Sequence, residues 1–259
     1  MDSLTDIGIE RLGAVRVVLS HTSHPGNIGA AARAMKTMGL SDLALVQPRF
    51  FPDSQAVAMA SGAGDILDNA LVCERLEDAL ADTVLVAGCT ARRRDLSHDG
   101  LDAREAAHAL VRHAQAGRVA LLFGTEMSGL SNEELERCQM LVHIPANPEY
   151  SSLNLAAAVQ VLAYELRMAA ALPVPVTQVP PLARQADLEL FYEHLEATLV
   201  EIGFLNPQVP KRLMTRLRRL FSRTRIEHEE WNILMGILRH MRSPRETMRV
   251  GLVQEEKSE

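Results

Sequence analysis

Five short apolar runs constrain the fold of this chain more than any other feature of its sequence. They predict strands at residues 15–19, 43–47, 84–87, 119–123 and 141–144. None of them alternates apolar with polar residues, which is typical of strands that are buried on both faces of a sheet. Helix-like segments lie between the runs, and this alternation predicts an α/β fold around a parallel sheet.

Capping residues predict where the intervening helices begin. The expected caps are Asn27 before an alanine-rich segment, Asp102 with Glu105, Ser131 with Glu134, and Thr224 with Glu227. A side-chain oxygen at such a position accepts a hydrogen bond from a free amide of the first helical turn. The alanine-rich helix is expected to end at Gly39, and a longer helix is predicted over residues 154–171.

The chain is predicted to form two domains. Four prolines between residues 173 and 186 mark a linker, because proline cannot lie inside a helix, so the first domain should span residues 1–172. Residues 187–259 should form a small all-helical domain, in which apolar residues recur at helical spacing from Leu188 to Ile202. The first 13 residues and the tail after about residue 245 are expected to lie outside the folded parts.

The second domain carries a strongly basic segment. Residues 211–225 contain seven Lys and Arg residues and no acid, although the whole chain has a net charge of −6. On a helix, four arginines would form one stripe beside Leu213, Leu217 and Leu220: Arg212, Arg216, Arg219 and Arg223. This stripe predicts a contact with RNA phosphates, and the alternative is a solvated helix face, which usually includes acids.

Several function classes lack their signatures in this sequence. The chain has no GxGxxG after a strand, no GxxxxGK[ST] and no GxSxG, which argues against nicotinamide enzymes, P-loop nucleotidases and α/β-hydrolases. Three cysteines, Cys73, Cys89 and Cys138, show no CxxC spacing, so we expect neither a disulfide framework nor a metal site. No signal peptide or membrane span is expected, which predicts a cytoplasmic protein.

Four segments rich in Gly, Ser, Thr and Asn adjoin predicted strands. They are HTSHPGN (21–27), GCTARRR (88–94), FGTEMSGLSNEEL (123–135) and IPANPEYSSLNLAAAVQ (144–160). Parallel sheets bind ligands beyond the carboxyl ends of their strands, which is where these segments are expected. We therefore expect the functional site at this edge of the sheet.

The motifs in these segments resemble those of SPOUT methyltransferases. The matching residues are Asn27, Gly29 and Arg33 in NxGxxxR, Phe123 to Ser131 in FGTExxGLS, and Ile144, Ser152, Leu153 and Asn154 in the IP and SLN elements. Within this superfamily the chain is similar to bacterial tRNA (cytidine/uridine-2′-O)-methyltransferases from about Val15 to its C-terminal helices. The resemblance implies a trefoil-knotted, Rossmann-like domain, a homodimer, and S-adenosylmethionine as methyl donor.

The resemblance also implies roles for individual residues. The cofactor would be bound by Cys89, Thr90, Ala91, Gly124, Ile144, Ser151, Ser152 and Leu153. The catalytic residues would be Asn27, Arg33, Ser152 and Asn154, and Arg92 and Arg94 would contact RNA together with the arginine stripe. No metal ligand is implied.

Arg33 is expected to project from an alanine-rich helix into the reaction cleft. A guanidinium scarcely deprotonates, so we expect it to orient the 2′-hydroxyl and stabilise its developing charge rather than act as a base. The alternative is a surface residue on the helix. Two departures from the family pattern concern the substrate side: Thr125 replaces a usual arginine, and Ser97, His98 and Asp99 replace a proline-tryptophan segment.

The activity that the resemblance implies is methylation of the ribose 2′-hydroxyl of cytidine or uridine at position 32 of the tRNA anticodon loop. The expected partner is tRNA, with neither DNA nor a membrane. Two alternatives stay open: a SPOUT 2′-O-methyltransferase that acts on ribosomal RNA or on the wobble nucleotide of tRNA, and a noncatalytic RNA-binding module.

Overall fold

The chain forms one parallel sheet with helices on both faces, followed by three further helices. The computed structural model describes residues 11–91, 100–172 and 180–242. Within these ranges the strands are β1 (Val15–Ser20), β2 (Asp42–Val46), β3 (Leu71–Cys73), β4 (Thr83–Cys89), β5 (Gly100–Asp102), β6 (Arg118–Phe123) and β7 (Met140–His143). Their order across the sheet is β3-β2-β1-β6-β4-β7-β5, and every pair of neighbours is parallel.

The described helices divide into two groups. In the sheet domain they are α1 (Pro25–Met38), α2 (Ser54–Ala60), α3 (Gly64–Asp68), α4 (Leu76–Leu80), α5 (Ala103–His113), α6 (Asn132–Glu136) and α7 (Leu155–Ala171). In the C-terminal region they are α8 (Gln185–Glu201), α9 (Leu213–Thr224) and α10 (His228–Arg242). Helices α1, α5 and α7 pack together on one face of the sheet, and α4 and α6 contribute to the core on the other.

The predicted α/β architecture with a helical C-terminal region is confirmed. All five predicted strands form, with ends that shift by at most two residues. The sequence does not predict β3 or β5, because each has only three residues and neither is an apolar run buried on both faces. The trefoil knot stays a prediction, since strand order alone does not define how the chain is threaded.

Three predicted helix ends are confirmed by their caps. Both capping boxes form, one with Asp102 and Glu105 and the other with Ser131 and Glu134. Gly39 follows α1 with a φ of 86°, a left-handed conformation that glycine adopts without steric cost. These helix ends could be predicted from the sequence because each is determined by residues within one turn of the helix.

Two predicted caps are wrong. Helix α1 begins at Pro25, so Asn27 lies inside its first turn and its side chain is free to bond elsewhere; proline is well suited to a first helical position because its φ is already fixed. Thr224 is the last residue of α9, and its hydroxyl donates a hydrogen bond to the Phe221 carbonyl at 2.8 Å. Helix α10 starts at His228 instead.

Gly29 of the NxGxxxR motif lies where α1 approaches α2 most closely. A Cβ atom at this position would lie 2.0 Å from the carbonyl oxygen of Ala56 and 2.8 Å from its carbonyl carbon. Backbone atoms cannot move aside as a flexible side chain can. The glycine is therefore explained by helix packing, which holds the amino end of α1 in place.

Gly29→Ala is expected to destabilise the fold by roughly 1–3 kcal/mol, because the extra methyl group forces α1 away from α2. Urea denaturation followed by circular dichroism measures this change. The matched control is Gly26→Ala on the same helix, where the nearest contact of a new Cβ is the flexible Gln55 side chain at 3.4 Å. Equal stability of the two variants would contradict the packing explanation.

The three C-terminal helices have a small core of their own. The rings of Phe191 and Phe221 meet edge to face at 5.0 Å between centroids, with Tyr192 beside them. The chain before α8 is held against the start of α10, because the Ala183 amide donates to the Ile226 carbonyl and the His228 amide donates to the Pro181 carbonyl, both at 2.9 Å. The proposed domain boundaries stay predictions, except that Leu12 is fully buried in the core, so the expectation that the first 13 residues lie outside the folded part is wrong at this position. Residues 1–10, residues 173–179 of the predicted linker and the tail from residue 243 lie outside the described residues. Among the described helices, none has the length and apolar character needed to cross a membrane.

Candidate active site

A cavity of about 340 Å³ opens at the carboxyl ends of β4, β6 and β7. The structure places all eight residues that were predicted to bind the cofactor in its lining: Cys89, Thr90, Ala91, Gly124, Ile144, Ser151, Ser152 and Leu153. Three separate loops supply them, so only the sheet brings them together. The lining combines small or apolar residues with the side chains of Thr90, Ser151 and Ser152, which suits a ligand that has an aromatic ring and polar edges.

Gly124 allows the loop after β6 to fold back tightly beside this cavity. A Cβ at Gly124 would lie 2.3 Å from the backbone carbon and oxygen of Gly129. The turn is closed by the Gly129 amide, which donates to the Thr125 carbonyl at 2.9 Å, and by the Thr125 hydroxyl, which accepts from the Ser128 amide at 3.1 Å. Thr125, the departure from the family pattern, therefore stabilises the turn of this loop.

Glu126 joins this loop to the loop that precedes α1. Its carboxylate accepts hydrogen bonds from the Ser23 amide at 3.1 Å, the Ser23 hydroxyl at 3.0 Å, the His24 amide at 3.3 Å and Nδ2 of Asn27 at 3.0 Å. Burial raises the pKa of Glu126, but the hydrogen bonds from Asn27 and Ser23 outweigh this effect and hold the pKa below its usual value. The group is therefore ionised at neutral pH.

Asn154 extends the same network to the third loop. Its Nδ2 donates to Oδ1 of Asn27 at 2.9 Å, while its own Oδ1 caps α7 by accepting from the Ala156 amide at 2.9 Å. The amide of Asn27 thus donates to Glu126 and accepts from Asn154. Two of the predicted catalytic residues therefore act together as a bridge that fixes three loops relative to one another.

Glu126 is the residue that the sequence-based site assignment missed. It stands within the quoted FGTE motif directly after a buried strand. An acid just beyond the carboxyl end of a parallel strand, two residues after a glycine, was the available signal. Its partners lie about a hundred residues earlier in the chain, so their number could not be inferred from local sequence.

Arg33 lies outside the cavity of its own chain. Its side chain is exposed, and within the part of the chain that the structure describes it has no hydrogen bond or ion pair. It is not among the residues that line the cavity, contrary to the expected position in the cleft. Arg33 and Asn27 nevertheless lie on the same helix, α1, so the bonds that hold Asn27 also fix the position of Arg33 along the chain.

The three cysteines are free thiols. Cys73 and Cys138 are buried in the core, whereas Cys89 lines the cavity. Burial raises the pKa of the Cys89 thiol to about 12, so this group is a neutral part of the wall rather than a nucleophile. Within the described ranges, no three His, Cys, Asp or Glu side chains are grouped so as to hold a metal ion.

The arginine stripe on α9 is largely on the surface. Arg216 and Arg223 are exposed, as is Arg212 just before the helix, and Arg219 is half-buried. Arg218 is different, because its guanidinium pairs with Glu189 and lies over the ring of Tyr192 at 4.3 Å. Arg92 and Arg94 lie outside the described residues.

Comparison with known proteins gives two matches along this chain. The SpoU rRNA methylase family matches residues 14–164, and the C-terminal domain of the tRNA methyltransferase TrmJ matches residues 186–251. The first match spans more than half of the chain and contains all the cavity-lining loops. The chain belongs to the SpoU methylase family.

Within the SpoU methylase family, the chain is similar to TrmJ proteins along most of its length. A relative from Pseudomonas aeruginosa, named tRNA (cytidine/uridine/adenosine-2′-O-)-methyltransferase TrmJ, is 55% identical over 88% of this chain and 93% of its own. A TrmJ from Cronobacter sakazakii, named for cytidine and uridine, is 50% identical over 89% of this chain and 97% of its own.

Two solved structures agree with the observed fold. The crystal structure of TrmJ from Z. mobilis has a TM-score of 0.78 and 34% identity, and it covers 88% of this chain and 99% of its own. A probable methylase family protein from Haemophilus influenzae has a TM-score of 0.61 and 43% identity, over 89% of this chain and 96% of its own. The similarity therefore extends through both the sheet domain and the C-terminal helices.

Proposed function

We propose that this chain transfers the methyl group of S-adenosylmethionine to the ribose 2′-oxygen of cytidine or uridine at position 32 of the tRNA anticodon loop. The observation that carries the proposal is the convergence of all eight predicted cofactor contacts on one cavity. The names of the TrmJ relatives support the reaction and the tRNA substrate. Because the acceptor is a 2′-hydroxyl, DNA cannot serve as the substrate, and tRNA as substrate agrees with a cytoplasmic location.

The residues of the cavity fit S-adenosylmethionine in size and chemistry. Ile144 and Leu153 offer apolar surface for the adenine, and the hydroxyl-bearing Ser151 and Ser152 lie in the same lining and suit the polar parts of the cofactor. When bound, the cofactor supplies a methyl group that is activated by the positive charge on sulfur. The protein must then orient the ribose oxygen and stabilise the negative charge that develops on it.

Glu126, Asn27 and Asn154 would keep the loops in the arrangement that the reaction requires. We assign the charge-stabilising role to Arg33, whose exposed guanidinium has no competing partner among the described residues. A guanidinium offers several N–H donors in a fixed plane, which suits a ribose oxygen and its neighbouring phosphate. Ser152 lines the cavity and can donate to the ribose as well.

An apolar stripe on α7 supports the predicted homodimer. Tyr164 and Met168 are 47% and 46% exposed and lie one turn apart on this helix, beside the half-buried Val161, and Leu172, which is 53% exposed, directly follows the helix. Such a stripe is costly to leave in water and is typical of an interface. A second copy of the chain, packed through the same helix, would cover it symmetrically.

The reaction is tested with labelled S-adenosylmethionine and an unmodified tRNA transcript. Methylation of a 2′-oxygen protects the next phosphodiester bond from alkali, so we expect a labelled, alkali-resistant dinucleotide that begins at position 32. The matched control is a transcript with a 2′-deoxynucleotide at position 32, which should accept no label. If the control transcript is still labelled, the acceptor is another nucleotide, such as the wobble nucleotide. Label on a base of the unmodified transcript would contradict 2′-O chemistry. If no label is transferred to that transcript, the noncatalytic alternative is favoured.

We also propose that the exposed arginines of α9 bind tRNA phosphates. Arg216→Ala and Arg223→Ala are each expected to weaken tRNA binding and to reduce the slope of log K against log salt by roughly 0.7–0.9 per lost contact. Filter binding across a salt series measures the slope. The control is Arg104→Ala, which removes an exposed arginine that pairs with Glu165 in the sheet domain. Slopes that match the control would contradict this role.

A further inference from the structure

A chain of charged side chains connects the sheet domain to the basic helix α9. Arg137, directly after α6, contacts the carboxylates of Glu77 on α4 and Glu189 on α8. Glu189 in turn accepts two hydrogen bonds from Arg218 on α9, at 2.7 and 2.8 Å. The order of the connection is therefore Glu77, Arg137, Glu189, Arg218, and each contact joins a different pair of elements.

The inner members of this chain are well shielded from water. The side chains of Arg137, Glu189 and Arg218 are each 21% exposed. Burial raises the pKa of Glu189, but the two arginines outweigh this effect and keep its pKa below the usual value. Arg218 also stacks over Tyr192. Paired charges in such a setting restrict geometry more than they add to stability, because desolvation offsets much of their attraction.

The same contact region is continuous with the cavity. Residues 124–130 line the cavity, helix α6 begins two residues later at Asn132, and Arg137 directly follows the helix. The backbone carbonyl of Arg137 accepts a hydrogen bond from Nε2 of Gln185 at the start of α8, at 3.3 Å. Nearby, the Ala186 amide donates to the Ala81 carbonyl at 3.2 Å. The amino end of α8 is thus fixed to the sheet domain beside the cavity loop.

We infer that Arg137 and Glu189 are positioning residues, which hold the basic helix α9 at a fixed place relative to the cavity loop so that bound tRNA presents its ribose to the site. The inference rests on the proposed function. It assigns two different roles to the arginines of the basic segment. Arg218 orients the helix from within, while Arg216 and Arg223 face the solvent where tRNA can be bound.

Glu189→Gln tests this inference in the full-length protein. The variant keeps the shape of the side chain but removes the charge that joins both arginines. We expect the single-turnover methylation rate at saturating tRNA to fall at least tenfold, because tRNA still binds but its ribose is misplaced. The affinity for S-adenosylmethionine and the salt slope of tRNA binding should stay unchanged, because no cofactor or phosphate contact is lost.

Glu201→Gln is the matched control on the same helix, since Glu201 pairs with Arg242 of α10 at 3.0 Å and the pair lies within the C-terminal region. Arg137→Lys is the second test variant, because an ammonium keeps the charge but lacks the planar fork that spans two carboxylates. The Arg137→Lys variant should show the same loss of methylation rate. If Glu189→Gln does not fold, the rate of Arg137→Lys alone tests the inference. Rates within twofold of the control for both variants would overturn the inference.

These results are distinguishable from failure of the proposed function. If wild-type protein transfers no label to tRNA, the proposed reaction is wrong whatever the variants do. If the wild type is active but Arg216→Ala leaves the salt slope unchanged, the RNA-binding role of α9 is wrong, and with it the reason for positioning that helix. A lower salt slope in Glu189→Gln would also overturn the inference, because it would indicate lost phosphate contacts rather than lost orientation.

Discussion

Glu126→Ala is expected to lower the rate of methyl transfer at least a hundredfold while leaving the protein folded. The substitution removes the acceptor for four hydrogen bonds that hold Ser23, His24 and Asn27 against the cavity loop. Because Glu126 is only half-buried, water can satisfy these donors in the variant, so the loss falls on the position of the loop rather than on the stability of the fold. The loop before α1 would then lose its fixed position, and with it the placement of Arg33.

Single-turnover methylation and thermal unfolding together measure this effect. Glu126→Gln keeps one acceptor oxygen without the charge, so its rate should lie between those of the alanine variant and the wild type. Glu133→Ala is the control, because Glu133 is an exposed glutamate of α6. A Glu126→Ala enzyme that methylates within threefold of this control would show that the network has no part in catalysis.

Arg33→Ala is expected to reduce turnover a hundredfold or more, equivalent to about 2.7 kcal/mol of transition-state stabilisation. Removing one well-placed group that stabilises developing charge has an effect of this size. The fold should be retained, since alanine is the better helix former and the side chain of Arg33 has no partner among the described residues. Binding of S-adenosylmethionine should also be retained, because Arg33 does not line the cavity.

Calorimetry of cofactor binding, performed beside single-turnover methylation, separates these contributions. The control is Lys36→Ala on the same helix, since Lys36 is also exposed but donates to the Gly62 carbonyl and to Asp65. Its rate should stay close to that of the wild type. If Arg33→Ala binds the cofactor and methylates as fast as this control, Arg33 is a surface residue and the catalytic assignment is wrong.

Features of the fold that depend on neighbouring residues could be predicted from the sequence. The strands β1, β4 and β6 are apolar runs, and their burial on both faces follows from composition alone. The capping boxes at Asp102 and Ser131 likewise need only residues within one turn. The cap at Asn27 was wrong because an amide can accept and donate elsewhere, and its partners, Glu126 and Asn154, are distant in sequence.

Many residues of the candidate site could be predicted from the sequence, but the hydrogen bonds and ion pairs between them could not. The resemblance identified eight of the residues that line the cavity, because motif positions can be compared without a structure. They did not identify Glu126 as the acceptor for three other residues, nor the inward orientation of Arg218 within a segment that appears uniformly basic. Both depend on which side chains meet across separate elements.

Buried strands, helix caps and motifs are encoded in short stretches of chain, so the amino-acid sequence was enough to predict the parallel α/β class, the helical C-terminal region and the segments that line the cavity. The folded structure was needed to show that Asn27, Glu126 and Asn154 form one network and that Glu189 connects Arg137 to Arg218. The two kinds of feature differ in range. Hydrophobic pattern and helix caps act over a few residues, whereas hydrogen bonds and ion pairs between distant residues form only after the fold has brought their elements within about 3 Å.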